Sequence, residues 1–400
     1  MNKVPNLRFS SFNDGWKKIK LGDKCTFYSG GTPLTTNKKY YDGNIPFIRS
    51  AEISSTSTEL NISEDGLNNS SAKMVKKGDL LYALYGATSG EVSISKIDGA
   101  INQAILCIQS DQLNLSFLEK ILRKNKDNII NTYLQGGQGN LSSKIVQDLR
   151  YYFPSLEEQE KIASFFSLID KKIELQTEKV EELKNYKKGI MQKIFSQQLR
   201  FKDENGNEYP EWARKHLSQF VQRVTRKNKG LISTLPLTIS AQYGLVDQES
   251  FFNKTVASNN LEGYYLLENG EFAYNKSYSN GYPWGTIKRL DKYKCGVLSS
   301  LYICFNPNID INSDYLVHYF ESTKWHKEIA MIAVEGARNH GLLNISISDF
   351  FDTLHYIPSR EEQDKIAVCL SAIDKKIYKE QEKLDALVDY KKGLLQQMFV

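Results

Sequence analysis

The chain contains a long internal repeat, which constrains its fold more than any other feature. Residues 154–195 recur as residues 358–399, an offset of 204, with 23 identities in 42 aligned positions. Both copies begin with Pro-Ser, continue through Glu-Glu-Gln and Lys-Ile-Ala, and carry Tyr-Lys-Lys-Gly near their end. Because two copies of one segment fold alike, the chain is predicted to consist of two half-subunits with an approximate two-fold relation.

Each copy of the repeat is predicted to be one long helix. Its Pro-Ser start, the acidic residues of its first turn and the lack of interior proline are typical of helices. Apolar residues recur at alternating steps of four and three, which indicates a coiled-coil seam, interrupted by Gln176, Lys187, Glu380 and Lys391. The seam residues are Ile162, Phe166, Ile169, Ile173, Val180, Leu183, Ile190, Ile194, Ile366, Leu370, Ile373, Ile377, Leu384, Leu387, Leu394 and Met398.

Such a seam needs a partner helix. Each helix either packs on its own neighbouring module or pairs with the other helix. Two matched seams in one chain favour pairing with each other. An antiparallel pair is favoured, because a module of roughly 160 residues separates the helices and can carry the chain back to its start.

Similarity between the two halves continues faintly outside the helices. Leu7-Arg8-Phe9 and Trp16 resemble Leu199-Arg200-Phe201 and Trp212, so the two chain termini should lie near each other. Short strand-like runs and one helix in each module, around residues 115–122 and 315–328, predict an α+β fold. The expected architecture is two globular domains separated by two long helices in an antiparallel coiled coil. The predicted segments are a first module at 1–152, a first helix at 153–198, a second module at 199–356 and a second helix at 357–400.

Composition excludes several classes of protein. The five cysteines are scattered and never form Cys-x-x-Cys, so we expect neither disulfides nor a metal site, and a cytoplasmic location. No apolar run approaches the ~20 residues that span a bilayer. The chain has neither a phosphate-binding loop nor His-Glu-x-x-His, so we expect no catalytic residues. Its formal charge of +5 permits DNA binding but does not diagnose it.

Together these features resemble the specificity subunits of type I restriction-modification enzymes. The resemblance rests on the paired Pro-Ser-x-Glu-Glu-Gln-x-Lys-Ile-Ala segments, the junction at residues 187–201, and residues 30–33 with 41–46. It covers essentially the whole chain, since residues 296–302 and 336–338 also look like this family. The opening of the second module departs from the family's pattern.

The resemblance implies a non-catalytic subunit with two target-recognition domains, each reading one half of an interrupted DNA site. The helix pair would set the spacing and dock methyltransferase subunits. The implied partners are double-stranded DNA, two methyltransferase subunits and, in the full complex, two restriction-translocation subunits. S-adenosylmethionine, ATP and magnesium would belong to those partners, and this chain would hold no cofactor. A coiled-coil scaffold and a self-sufficient enzyme are the alternatives.

DNA-reading proteins need cations for phosphates and amide, guanidinium or hydroxyl groups for base edges. Ordinary solvated turns are the alternative interpretation of the loops that carry these groups, particularly residues 135–140 and 214–229. Aromatic residues such as Tyr282 and Trp284 rank lower, because aromatics more often belong to a core. The candidates are Thr32, Lys38, Lys39, Arg49, Ser50, Thr88, Asn102, Gln103, Gln135, Gln138 and Asn140 in the first module, and Arg223, Arg226, Lys227, Lys229, Asn275, Lys276, Ser279, Arg338, His340 and Asn344 in the second.

Overall fold

A computed structural model describes residues 4–134, 140–254, 257–258, 260–277, 281–333 and 343–400 of the chain. The chain divides into two compact units. Unit 1 comprises Met1–Thr177 and Glu382–Val400, and unit 2 comprises Glu178–Gln381. Each unit therefore contains one globular module and half of each long helix. The mixed helix and sheet content confirms the predicted α+β class.

The module of unit 1 is built from short strands and helices. It contains two four-stranded sheets, in the orders β2-β9-β6-β7 and β4-β3-β8-β5, and an antiparallel pair, β1-β10, that closes the module. The elements are β1 (Lys17–Lys20), β2 (Thr26–Ser29), β3 (Ile45–Ile48), β4 (Asn61–Ile62), α1 (Glu64–Asn68), β5 (Lys73–Val75), β6 (Leu80–Ala83), β7 (Val92–Ile94), β8 (Gly99–Ile101), β9 (Ile105–Gln109), α2 (Leu115–Lys124), α3 (Lys126–Tyr133), α4 (Ser143–Asp148), β10 (Arg150–Phe153) and the long helix α5 (Leu156–Phe195).

Both faces of the central sheet in unit 1 are buried. Leu80 and Tyr82 of β6 face a core that includes Phe117 of α2, whereas Leu81 lies in a second core with Ile101 of β8. A strand buried on both faces reads as a continuous apolar run, which is what the sequence of β6 shows. The sheet is therefore held between the helices on one side and the second sheet on the other.

The module of unit 2 repeats much of this plan. Its sheet β12-β19-β16-β17 has the same order as β2-β9-β6-β7, and its pair β11-β20 matches β1-β10. The elements are β11 (Ala213–His216), β12 (Val221–Arg223), β13 (Leu237–Ser240), β14 (Gly244–Asp247), α6 (Gln248–Phe252), β15 (Tyr265–Glu268), β16 (Phe272–Asn275), β17 (Thr286–Arg289), β18 (Cys295–Leu298), β19 (Ile303–Pro307), α7 (Ser313–Glu321), α8 (His326–Ile332), α9 (Ile347–Asp352), β20 (Leu354–Ile357) and the long helix α10 (Arg360–Met398).

The long helices run antiparallel, as their contacts within each unit demonstrate. In unit 1, Phe166 near the start of α5 shares a core with Met398 at the end of α10. In unit 2, Ile194 near the end of α5 shares a core with Ile366 near the start of α10. All sixteen predicted seam residues are buried or partly buried. None of the helices in the described ranges has the length and apolar character needed to cross a membrane.

Ion pairs occupy two of the polar positions in the seam. Lys187 of α5 donates to Asp374 of α10 at 2.7 Å in unit 2, and the repeat-equivalent Lys391 pairs with Asp170 in unit 1. Although burial opposes the shift, hydrogen bonds from Lys120 and Lys391 lower the pKa of Asp170. Polar residues in an apolar seam favour the one register in which they find partners. The matched pairs therefore fix the antiparallel register from both ends.

A buried glutamine attaches each module to its long helix. The side chain of Gln159 accepts from the backbone N–H of Asn114 at 3.0 Å and donates to the carbonyl of Pro154 at 3.1 Å. Gln363 makes the same two contacts in unit 2, with Asn312 and Pro358. Asn114 and Asn312 cap α2 and α7, so the glutamine links two helix starts in each unit.

The repeated Leu-Arg-Phe motif anchors the chain to buried carboxylates. Arg8 donates to both oxygens of Glu158 at 2.7 and 2.6 Å, and Arg200 donates to both oxygens of Glu362 at 3.2 and 2.7 Å. The two carboxylates are 1% and 0% exposed. In unit 1 the N–H of Leu7 also donates to the carbonyl of Gln397 at 3.0 Å, so the two ends of the chain lie together.

Replacement of Arg200 by methionine should destabilise the chain strongly. Glu362 would lose the bidentate partner that balances its buried charge and would keep only the Trp212 indole N–H at 3.0 Å. We expect the free energy of unfolding of unit 2 to fall by about 3–5 kcal/mol in urea denaturation. Arg360→Met, which removes an exposed pair with Asp364, is the control and should cost about 1 kcal/mol or less. Equal losses in the two variants would contradict the role assigned to Glu362.

Candidate nucleic-acid interface

Two adjacent strand ends bring together several of the predicted DNA-contacting residues of unit 1. Strands β3 and β8 are parallel, with Phe47 opposite Ala100 and Ile48 opposite Ile101. Because parallel strands end at the same sheet edge, Arg49 and Ser50 lie beside Asn102 and Gln103. Neighbours that are 53 residues apart in the chain thus form one polar edge.

The Gly-Gly-Thr-Pro loop packs directly on this edge. The hydroxyl of Thr32 donates to the side-chain oxygen of Gln103 at 2.7 Å, and the N–H of Gly30 donates to the carbonyl of Asn102 at 3.3 Å. A Cβ atom on Gly30 would lie 1.7 Å from the carbonyl oxygen of Ile101, so no other residue type permits this approach. The glycine is therefore what places Thr32 beside Gln103.

The loop that follows β6 joins the same edge. The N–H of Leu84 donates to the carbonyl of Ala104 at 2.8 Å, and the N–H of Leu141 donates to the carbonyl of Leu84 at 3.0 Å. These bonds bring Leu84 and the exposed Asn140 next to the Asn102 loop. The predicted Thr88 makes a local contact instead, since its hydroxyl donates to the carbonyl of Tyr85 at 3.4 Å. Residues gathered at the edge are Thr32, Arg49, Ser50, Asn102, Gln103 and Asn140. The predicted Gln135 and Gln138 lie outside the described residues.

The polar side chains of this edge differ in their hydrogen bonds within the unit and in their exposure. Arg49 donates to Glu52 at 3.1 Å and also pairs with Glu59, and the hydrogen bond with Glu52 raises its pKa. The oxygen of Asn102 accepts from the N–H of Ala104 at 3.0 Å and shapes the loop. Gln103 is exposed. The geometry therefore favours Gln103 for base contact, with Arg49 and Asn102 ordering the loops around it.

Lys38 and Lys39 extend the loop that begins at Gly30. Both lysines are exposed and lie in the short 3₁₀ helix Lys38–Tyr41. The hydroxyl of Tyr41 donates to the carbonyl of Pro33 at 2.7 Å, which ties this helix to the Thr32 end of the loop. The two ammonium groups can thus contact a phosphate backbone whose bases face the polar edge.

Unit 2 places an equivalent pair of loops at the end of β16, the counterpart of β6. The carbonyl of Lys276 accepts from the N–H of Leu343 at 2.9 Å, as the carbonyl of Leu84 does from Leu141 in unit 1. Asn275, Lys276 and the exposed Asn344 therefore lie together. Burial lowers the pKa of Lys276. The predicted Ser279, Arg338 and His340 lie outside the described residues.

The basic segment of unit 2 is largely engaged in contacts within the unit. Arg226 donates to the buried Glu271 at 2.8 Å, and Lys227 lies 3.9 Å from the centre of the Tyr265 ring. Arg223 and Lys229 are exposed, although Arg223 also approaches the Tyr265 hydroxyl at 3.4 Å. Arg223 and Lys229 are therefore better placed for phosphate contact than Arg226 and Lys227.

One group of side chains in unit 2 has the residue types of a metal site. Atoms of His318, Glu321 and Asp374 lie within 4.8 Å of one another. The ammonium of Lys187 lies 2.8 Å from Glu321 and 2.7 Å from Asp374. Although burial opposes the shift, His318, whose Nδ1 lies 3.7 Å from a Glu321 carboxylate oxygen, and the charge of Lys187 lower the pKa of Glu321 to about 2. Lys187 thus already balances both carboxylates.

Comparison with known proteins finds similarity between this chain and DNA-specificity proteins. Residues 13–185 match the family model described as the type I restriction modification DNA specificity domain. The chain is similar to two Methanocaldococcus jannaschii proteins, the MjaVIII specificity subunit (23% identical over 195 residues, 46% of this chain and 42% of the relative) and the MjaIX specificity subunit (26% over 227 residues, 52% of each). In these matches the chain spans about half the length of the curated relatives.

The similarity in fold extends further than the similarity in sequence. The crystal structure of the type I restriction-modification S subunit from M. genitalium superposes with a TM-score of 0.59 at 16% identity. The match covers 100% of this chain and 99% of that one. The fold of the whole chain is therefore that of this structure, including the part beyond residue 185.

Proposed function

We propose that the whole chain is a DNA-reading specificity subunit, a proposal that the match of residues 13–185 to the type I restriction modification DNA specificity domain supports. Each unit reads one half of an interrupted site. The observation that carries this proposal is the repetition of one loop arrangement, at the end of β6 in unit 1 and of β16 in unit 2, with different side chains in each. Equivalent scaffolds with different loops suit two readers of different sequences.

In this function the chain binds protein partners and has no catalytic role of its own. The paired helices dock two methyltransferase subunits, and the complex that results recruits two restriction-translocation subunits. S-adenosylmethionine, ATP and magnesium are bound by those subunits, in the cytoplasm. The relatives are named specificity subunits, which supports a non-catalytic role. The two-unit repeat supports a stoichiometry of two, because each unit offers half of the helix pair.

Neutralising Lys38 and Lys39 together should weaken binding to every DNA sequence. Each phosphate contact contributes about 0.9 to the slope of log affinity against log salt, so Lys38→Met with Lys39→Met should reduce that slope by about 1–2. Lys76→Met with Lys77→Met is the matched control. These two lysines follow β5, which pairs antiparallel with β8 and ends at the opposite sheet edge from Asn102. An unchanged slope for the Lys38 and Lys39 variant would remove this loop from the interface.

Gln103→Ala should instead relax the choice of bases. A lost amide contact costs about 1–3 kcal/mol of discrimination at one base pair and leaves the phosphate contacts intact. Binding to a set of single-base variants of the site, at constant salt, measures this. The expected result is tolerance at one position in one half-site with an unchanged salt slope. Uniform weakening across all variants would assign Gln103 to a structural role.

A further inference from the structure

Unit 2 contains a surface groove between the start of α10 and the segment that leads into β11. It has a volume of about 700 Å³. Its apolar part includes Phe201, Tyr209, Cys369 and Val368, and Val368 is 71% exposed. A contiguous exposed apolar patch with a polar rim is a usual feature of a protein contact surface.

A short hairpin forms one wall of the groove and is fixed to α10. Lys202 and Glu208 form a β-bridge, and the N–H of Asp203 donates to the carbonyl of Asn207 at 2.9 Å. The ammonium of Lys365 donates to the carbonyl of Lys202 at 2.7 Å and lies 5.7 Å from the centre of the Tyr209 ring. The wall is therefore held in place by the chain itself.

The rim of the groove is acidic. Glu204 on the hairpin and Glu361 on α10 are exposed, and Asp203 and Asp364 also line it. Lys365 is the basic residue among the lining side chains, and its ammonium already serves the Lys202 carbonyl. An apolar floor with negative rims complements a segment that carries lysine or arginine beside apolar side chains. The same charges oppose binding of nucleic acid at this face.

In unit 1, the position equivalent to the groove is occupied by the side chain of Phe165. By the repeat, Phe165 corresponds to Cys369 and Phe9 corresponds to Phe201. The Phe9 and Phe165 rings contact each other edge to face at 5.7 Å between centroids. Six residues lie between Phe9 and Trp16, whereas ten lie between Phe201 and Trp212, and the additional residues make the hairpin wall. The two halves of the chain therefore differ at equivalent positions of one repeated surface.

We propose that the groove of unit 2 receives a basic amphipathic segment of a methyltransferase subunit, so that the two copies of this partner dock non-equivalently. This inference rests on the proposed function, which supplies the partner. Apolar residues of the segment pack on Val368 and Cys369, and its cations face Glu204 and Glu361. The copy bound at unit 2 gains contacts that the copy at unit 1 lacks, so it binds more tightly and assembles first.

Titration of the full chain with its purified methyltransferase subunit, followed by native mass spectrometry, tests this. The wild-type chain should bind two copies, one at least about tenfold more tightly than the other. Cys369→Phe, which gives the groove the residue that unit 1 carries, should reduce the tighter affinity by about tenfold and make the two sites similar. Glu361→Lys should reduce the tighter affinity by about tenfold at low salt and by less at high salt.

Glu157→Lys is the matched control, because Glu157 is the repeat equivalent of Glu361 and is also exposed. It should leave the tighter affinity unchanged. If the wild-type chain bound its two copies with equal affinity, and neither Cys369→Phe nor Glu361→Lys changed that affinity, the groove assignment would be overturned. The proposed function would stand. An equal loss in Glu157→Lys and Glu361→Lys would also overturn it. Failure of the wild-type chain to bind any methyltransferase subunit would overturn both. If Cys369→Phe lowers the melting temperature, the affinity of the surface variant Glu361→Lys decides whether the groove binds the methyltransferase subunit.

Discussion

Exchange of residues 15–153 for the matching module of a different specificity subunit is expected to change one half of the recognised DNA sequence and to leave the other half unchanged. The module is closed by the antiparallel pair β1-β10, in which Lys17 lies opposite Phe153 and Lys20 lies opposite Arg150. Its two junctions therefore lie side by side. Arg8, Glu158 and Gln159 lie outside the exchanged segment and keep their contacts, so the donor must supply an equivalent of Asn114, whose N–H donates to Gln159.

The sequence recognised by the exchanged chain is measured by the methylated sites in cells that also express the methyltransferase subunit. The effect should be complete, because one set of base contacts is replaced by another. The reciprocal exchange of residues 213–357, which are bounded by β11 and β20, is the control and should change the other half. A change in both halves from either exchange would contradict independent reading by the two units.

Insertion of one heptad into each long helix is expected to lengthen the preferred DNA spacer by about three base pairs. Seven residues add about 10.5 Å at ~1.5 Å per residue, and base pairs are ~3.4 Å apart. The insertions belong between Thr177 and Glu178 and between Gln381 and Glu382, where the chain passes between the two units, so that contacts inside each unit are preserved. A heptad also preserves the apolar seam.

Affinity should fall in this variant even at the new spacing. Three base pairs rotate the DNA by about a quarter turn or more, whereas the coiled coil turns far less over one heptad. Selection from a library of sites with variable spacers measures both effects. Insertion into α5 alone is the control and should destabilise the helix pair, because the seams no longer match. If the variant kept the original spacer at full affinity, the helices would not set the distance between the two half-sites.

The helices were predictable from their periodicity, and their pairing was predictable from the presence of two matched seams in one chain. Apolar steps of four and three define a seam whatever the surrounding fold, and Lys187 and Lys391 marked the positions that needed partners. The partners themselves, Asp374 and Asp170, are visible only when the antiparallel register is known. The helix expected over residues 315–328 was wrong, since α7 ends at Glu321 and α8 begins at His326. The Trp325 indole donates to the carbonyl of Phe320 and stabilises this break.

The candidate interface was predictable in residue type and less so in arrangement. Thr32 and Gln103 were both identified as polar loop residues, but their contact depends on β3 and β8 being parallel, which local sequence does not reveal. Arg226 was expected to face DNA because its segment is basic. Its acidic partner Glu271 comes from a strand junction 45 residues away. The equivalence of Leu84 with Lys276 also escaped prediction, because strand order can be shared without shared sequence.

In the proposed function, each unit reads one half of an interrupted site. The most direct test is methylome sequencing of cells that express this chain with its methyltransferase subunit, with cells that express the methyltransferase subunit alone as the control. We expect a single methylated motif of two short specified halves separated by a fixed number of unspecified bases. A continuous motif without a spacer, or methylation at the same sites when this chain is absent, would contradict it.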